Sequence, residues 1–268
     1  MGNKILYFDG PDGISGDMTL GALISLGADA AEIKRELDKI VPEPFDLVPN
    51  RFSRSGIHGI NLDVIIPGLM QKKTEAGRAA PSRQAFHASH THRHYSDIKE
   101  MILNSGITET AKTYALAIFN VIAEAEAFVH EVDLAEVAFH EVGALDSIID
   151  IVGTAVAIDI LGVREFYCSA LHDGCGTVMC QHGQIPVPVP AVMEMAKEAG
   201  IPIIIEEAVK TEMITPTGFG IIKGLGAVFK SRLGILPEKT GYGFGKRDTG
   251  RLGALRLVLG EIYEEQGE

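Results

Sequence analysis

The sequence predicts a mixed α/β fold (α+β), a sheet with packed helices and one long His-rich loop. Three observations carry that expectation. "KILYFD" is a short apolar run closed by a Gly/Pro/Asp cluster, as a buried strand is. "MTLGALISLGA" directly after it carries Met18, Leu20, Leu23, Ile24 and Leu26 at the spacing of a buried helix that ends near Gly27. "GALRLVLGEIY" near the other end again reads as a strand.

Between these anchors the elements follow in order. "AAEIKRELDKIV" is an amphipathic helix stopped by Pro42, and "FDLVPNRFSR" with "HGINLDVII" forms a strand pair joined around "SGIHG". Residues 67–95 show no sustained period and form a long loop, which at that length is functional or disordered and is expected to be mobile. Helices resume at "SDIKEMILNSG", with Ser96 as the expected N-cap. "TETAKTYALAIFNVIAEAEAFVH" follows, with Tyr114, Ile118, Ile122, Ala125 and Val129 on one face. A helix over Leu145 to Leu161 comes next, and "EFYCSALHDG" and "GTVMCQHG" read as a strand pair. "PAVMEMAKEAG" is helical, "IPIIIE" is a strand, and "TPTGFGIIKGLGAVF" opens a last helix. Residues 1–268 are read as one α/β domain, without internal repeats or a Gly/Ser linker.

Composition narrows the function. The chain has 268 residues, 46% hydrophobic and 22% charged, with a formal charge of −12. That charge argues against non-specific nucleic-acid and anionic-membrane binding, because both need basic surface. No apolar run approaches the roughly 20 residues of a membrane span, and "MGNKILYFDG" lacks the pattern of a signal peptide, so the expected location is the cytoplasm. Three cysteines, Cys168, Cys175 and Cys180, make an odd count that does not suggest a disulfide framework.

Four stretches carry chemistry. "HASHTHRHYSD" holds His87, His90, His92 and His94, imidazole donors suited to nickel, zinc or copper; the bland reading is a solvated polar loop. "FDGPDGISGDM" joins a strand end to a helix N-terminus and carries Asp9, Asp12, Ser15 and Asp17. Its carboxylates suit a cationic ring or a metal-bridged phosphate; equally, Asp17 is an N-cap and the glycines are turn residues. In "FHEVGALDSIIDIVG", Asp146 and Asp150 stand four apart on an apolar helix, preceded by His140 and Glu141. Like charges at that spacing disfavour a helix by roughly 0.2–0.5 kcal/mol. A cation between them would relieve the conflict; otherwise Asp146 complements the helix dipole and Asp150 faces water. "TPTG", with Thr215 and Thr217, starts a helix with hydroxyls and free amides that would hold a phosphate or merely cap the turn. The Cys175, Cys180, His172 and His182 region matches no common zinc spacing.

"DGISGDM", "HRHYSDI", "FHEVGALDSIIDIVG", "HGQIPVPVPA", "ITPTG" and "GYGFGKRD" occur in one order over nearly the whole chain. Together they resemble the nickel-pincer-cofactor nickel insertion protein family (LarC). The resemblance implies a CTP-dependent nickel insertase of the lyase class. Such a protein places Ni²⁺ in pyridinium-3,5-bisthiocarboxylic acid mononucleotide, making the nickel-pincer cofactor of lactate racemase. It also implies that CTP and its divalent metal belong to a C-terminal nucleotide-binding part absent from this chain. That part is then either a separate partner polypeptide or the remainder of a longer protein of which this is a fragment. The chemistry of the residues assigns nickel recruitment to His87, His90, His92, His94 and His140. It assigns catalysis to His140, Glu141, Asp146 and Asp150, and precursor binding to Asp9, Asp12, Ser15, Asp17, Thr215 and Thr217. A non-enzymatic nickel storage or delivery protein is the alternative, and a metal-dependent phosphohydrolase a third reading. Homo-oligomerisation is compatible with either of the first two.

Overall fold

The computed structural model describes residues 4–67, 93–139, 145–180 and 183–263. The mixed α/β expectation holds. Among these residues a seven-stranded mixed sheet has the order β11-β6-β1-β13-β12-β3-β2. Strand β1 (Ile5–Asp9) is interior: it runs parallel to β6 (Glu165–Cys168) and antiparallel to β13 (Ala254–Ile262), the middle strand. β11 (Val228–Phe229) extends the sheet beside β6. On the other side β12 (Ile235–Phe244) joins β13, and the hairpin of β2 (Asp46–Arg54) and β3 (Ile57–Ile65) completes it.

Helix α1 (Gly16–Leu26) lies on β12, β3 and β13 and packs on its other side against α5 (Leu145–Leu161). Both helices are apolar nearly all round, which fits burial between two layers. Their core is continuous: Leu20, Leu23, Ile148, Ile149, Ile151 and Val152 are fully buried, each worth roughly 1.5–3 kcal/mol against exposure. Outside them stand α2 (Ala30–Leu37) on α5, and α4 (Glu109–His130) against α5, α6 (Pro190–Ala196) and α7 (Pro216–Gly224).

Two local expectations need correction. Helix α3 (Tyr95–Leu103) is capped at His94, not Ser96, because His94 is extended (φ −72°, ψ 151°) and donates its N–H to the Asp97 carboxylate. Residues 165–180 do not pair with one another. After Cys168 the chain leaves the main sheet; β7 (Leu171–Asp173) pairs with β10 (Ile203–Ile205), and β8 (Gly176–Cys180) with β9 (Gly183–Val187). The sequence pattern assigns no element to β12; its "PEKTGYGF" has two glycines and no clean alternation, yet it forms a ten-residue strand. There Gly243 lies against α1, and an added Cβ would meet the Met18 carbonyl oxygen at 1.8 Å. Close packing, not strand propensity, explains that glycine.

The His-rich loop lies mostly outside the described residues, as do His140 and Glu141. The described ends of these two segments meet: β4 (Arg93–His94) pairs antiparallel with β5 (Ala138–Phe139), Arg93 opposite Phe139 and His94 opposite Ala138.

Candidate functional site

The C-terminal end of β1 leads through residues 10–15 into α1, and a second loop, 211–215, leads into α7. An isolated bridge between Ile14 and Ile214 locks the two loops together, with Ile14 N–H donating to the Met213 carbonyl at 2.9 Å and Thr215 N–H to the Ile14 carbonyl at 3.0 Å. Gly13 permits this approach: its φ is +83°, and an added Cβ would stand 2.2 Å from the Met213 carbonyl oxygen. Asp173, at the end of β7, fixes the second loop from below. Its Oδ1 accepts N–H bonds from Gly174 (2.8 Å), Met213 (2.6 Å) and Ile214 (3.2 Å). Burial pushes this carboxyl up, opposed by those three donors and by Arg247.

Two helix N-termini are thereby held side by side. Ser15 caps α1 and its hydroxyl donates to Asp17; Thr215 caps α7 and accepts from Gly218 N–H at 3.1 Å. Asp17 is not the cap; it sits in the first turn and accepts the Met18 N–H at 3.0 Å. The helix geometry leaves the N–H groups of Gly16, Asp17 and Thr217 without intrahelical acceptors. Between the two ends opens a cavity of about 200 Å³, whose wall includes Asp12, Ser15, Asp17, Glu212, Thr215 and Thr249.

The same wall holds two cations that the residue chemistry alone did not nominate, Lys246 and Arg247. They belong to the loop joining β12 and β13, closed at its base by Gly245 N–H donating to the Gly253 carbonyl at 2.9 Å. Arg247 reaches Glu212 at 3.0 Å, and Lys246 stands 3.2 Å from Asp63 and 3.9 Å from Asp17. Arg251, further along the loop, grips the buried Asp12 at 2.7 Å and Glu206 at 3.1 Å. Glu206 also meets His172 Nδ1 at 2.5 Å. That hydrogen bond, with Arg251 adding to it, holds the Glu206 carboxyl below its ordinary range. The available signal was a local excess of charge: Lys246, Arg247 and Arg251 fall between glycines in an otherwise acidic chain.

Asp150 lies under the cavity floor. A Cβ added to Gly16 would stand 2.8 Å from both Asp150 Cβ and Oδ2 and 2.9 Å from Thr217 Cγ2, so only glycine lets α1 pass this close. Asp150 Oδ1 is sealed from solvent and has no hydrogen-bond partner among the described residues. Burial pushes this carboxyl well above the usual carboxylate range; Asp17 and Asp146 add to the rise and Lys246 opposes it. Asp150 is thus half-buried with one oxygen turned away from solvent, whereas Asp146 is exposed and accepts the N–H of Ser147 at 2.9 Å.

Of the sequence-predicted residues, the fold brings Asp12, Ser15, Asp17 and Thr215 to the cavity, with Thr217 and Asp150 behind its floor. Asp9 does not line it; Arg256 engages its carboxylate. His94 is exposed at the start of α3. His87, His90, His92, His140 and Glu141 lie outside the described residues. Among the described residues no group of three or more His, Cys, Asp or Glu side chains is placed to hold a metal ion, and no helix is long and apolar enough to cross a membrane.

Fold and site together define a mixed α/β protein with a charged pocket where two helix N-termini meet beyond the C-terminal end of β1. The comparisons narrow the class. The family model described as nickel insertion protein matches residues 6–268, and the chain belongs to that family. It is 45% identical over 98% of its length to the pyridinium-3,5-bisthiocarboxylic acid mononucleotide nickel insertion protein of Acetivibrio thermocellus. It is 46% identical over 96% of its length to the protein of that name from Lactiplantibacillus plantarum, and 39% identical over 97% to that of Thermotoga sp. strain RQ2. The chain spans 62% of the length of each of these relatives. No solved structure matches.

Proposed function

We propose that this chain carries the precursor-binding and metal-insertion site for placing Ni²⁺ in pyridinium-3,5-bisthiocarboxylic acid mononucleotide, the compound in its relatives' names. The observation that carries the reading is Asp150: a carboxyl behind Asp17 whose Oδ1 is solvent-free and unpartnered among the described residues, beside a pocket walled by both charge signs. Forming a carbon–nickel bond breaks a ring C–H bond, and the proton needs an acceptor. Asp17 stands in the cavity wall and Asp150 just behind it, so the pair takes that proton while the carbon's electron pair passes to nickel. Desolvation and the neighbouring carboxylate both raise proton affinity there, as such a base requires. The two precursor sulfurs complete the nickel's bonds. Carboxylates of the wall, Asp17 and Glu212, face the pyridinium charge.

Nickel is a substrate here, collected by His87, His90, His92, His94 and His140. The pairing of Arg93 with Phe139 supports this, since it sets the ends of the two His-bearing segments side by side, and Asp150 lies little more than a turn inside the helix that follows. CTP and its divalent metal belong in this scheme to a further, C-terminal nucleotide-binding part, and the complete reaction falls in the lyase class in the cytoplasm. His140 and Glu141 assist the proton transfer or the metal's passage, while Asp146 shapes the local field from the helix surface.

The test is a reconstituted reaction of this chain with the nucleotide-binding part, CTP, Ni²⁺ and precursor, followed by mass spectrometry of the nickel-bearing product. Asp150→Asn and Asp17→Asn lower the rate by about 10²–10⁴, and Asp146→Ala by far less. Equal rates for wild type and Asp150→Asn would discard the assignment.

A further inference from the structure

We propose that Lys246 and Arg247, on the loop between β12 and β13, form the clamp that recognises the precursor's phosphate, working with the helix ends at Ser15 and Thr215. The clamp rests on reading the cavity as the precursor's site.

Three features converge on it. First, Lys246 and Arg247 share one cavity wall with both caps, so two point charges and two partial positive helix ends border a single space. Second, the loop that carries them is firmly held. Its base is closed by the Gly245–Gly253 hydrogen bond, and Arg251 anchors it to the β1–α1 loop through the Asp12 carboxylate and the Pro11 carbonyl at 3.1 Å. The cations are thus presented from a rigid support. Third, both cations keep donors for a further anion: the Asp63 partner of Lys246 can be exchanged, and Arg247 engages the buried Glu212 through Nη1, one part of a five-donor fork. The Lys246 and Arg247 side chains are about half exposed, 50% and 49%, and Asp63 is exposed too. The Lys246–Asp63 pair, open to water on both sides, is worth roughly 0–1 kcal/mol. A phosphate offers stronger acceptor geometry, bidentate towards Arg247.

Size agrees. A cavity near 200 Å³ is below the roughly 300–1,000 Å³ of pockets that swallow a whole ligand, so it suits one end of a mononucleotide. Charge supports it further. Lys246 is the cation that opposes the rise in Asp150's proton affinity. When a phosphate draws Lys246 away from Asp17, the carboxylate pair becomes a stronger base as the precursor seats. The clamp therefore ties phosphate recognition to readiness for proton transfer.

Titration calorimetry with nicotinic acid mononucleotide and nicotinic acid riboside tests this, since both carry the pyridinium ring and only the first a phosphate. Wild type binds the mononucleotide about tenfold or more tighter than the riboside, and inorganic phosphate competes with the mononucleotide alone. Lys246→Ala and Arg247→Ala each weaken the mononucleotide by about tenfold to a hundredfold and leave riboside binding unchanged. Arg247→Lys recovers part of the loss. Both side chains are half exposed, and circular dichroism checks that the variants keep the fold. If the variants weaken both ligands equally, or neither, the clamp is wrong. If wild type binds the mononucleotide while the variants match it, the clamp falls but the cavity assignment stands. If wild type binds neither ligand, both fall.

Discussion

Asp150→Asn separates a functional carboxyl from a structural one, because the two predict opposite changes in stability. In the native protein burial raises the Asp150 carboxyl well above its ordinary 3.8, with Asp17 adding to the rise. As pH climbs past 3.8 the unfolded chain loses this proton while the folded chain keeps it. The folded state then binds more protons, and stability falls with rising pH until the folded carboxyl also ionises. Above that point the loss is complete. Each unit by which the folded value exceeds the unfolded one costs about 1.4 kcal/mol. An orphaned buried polar atom such as Asp150 Oδ1 adds to the same side. Asparagine cannot ionise and escapes the charge-burial part of the cost. Urea unfolding of wild type and Asp150→Asn between pH 4 and 8 should show near-equal stability at the acid end. Towards neutrality the variant gains about 1–3 kcal/mol, while insertion activity is lost. A variant less stable than wild type by a constant amount at every pH would refute this account, because it would make Asp150 a hydrogen-bonded structural residue. The expected pairing of gained stability with lost activity is the usual mark of a strained functional group.

Other outcomes follow from the same geometry. Gly16→Ala pushes a Cβ to within 2.8 Å of Asp150 and 2.9 Å of Thr217; thermal melts should show about 1–3 kcal/mol of destabilisation, with slower insertion. Asp173→Ala removes the acceptor of three backbone N–H groups that hold the loop before α7. It should cost about 2–4 kcal/mol and speed hydrogen exchange at Met213 and Ile214, whereas a variant as stable as wild type would deny Asp173 its anchoring role. Replacing His87, His90, His92 and His94 together by Ala should lower the number of Ni²⁺ ions bound per chain in equilibrium dialysis without changing the melting temperature. Unchanged nickel binding would remove that segment from metal recruitment.

Much of the architecture was legible because its signals are local. The apolar run of β1, the glycine and hydroxyl residues before α1, and the fully apolar face of α5 each follow from short-range pattern. Pairing beyond neighbours was not legible. Residues 165–180 look like one hairpin, yet their three strands part company: β6 joins the buried main sheet beside β1, β7 pairs with the distant β10, and β8 turns back on β9, the strand that directly follows it. Likewise Ser96 looks like a cap, but His94 holds the extended backbone and the Asp97 contact.

The site divides in the same way. The sequence by itself determined which acids and hydroxyls stand at helix starts: Asp12, Ser15, Asp17, Thr215 and Thr217 reach the cavity region because a strand–loop–helix connection leaves them at its mouth. It also marked Asp146 and Asp150 as a conflict inside an apolar helix. Only the tertiary structure decided how that conflict is resolved, setting Asp150 against Gly16 with one oxygen turned away from solvent and leaving Asp146 in water. Only the tertiary structure brought Lys246 and Arg247 across from a loop more than two hundred residues away. The physical reason is that charge and burial are properties of a place in space. Local pattern sets which face a residue presents, but only the packed sheet and helices set what that face meets.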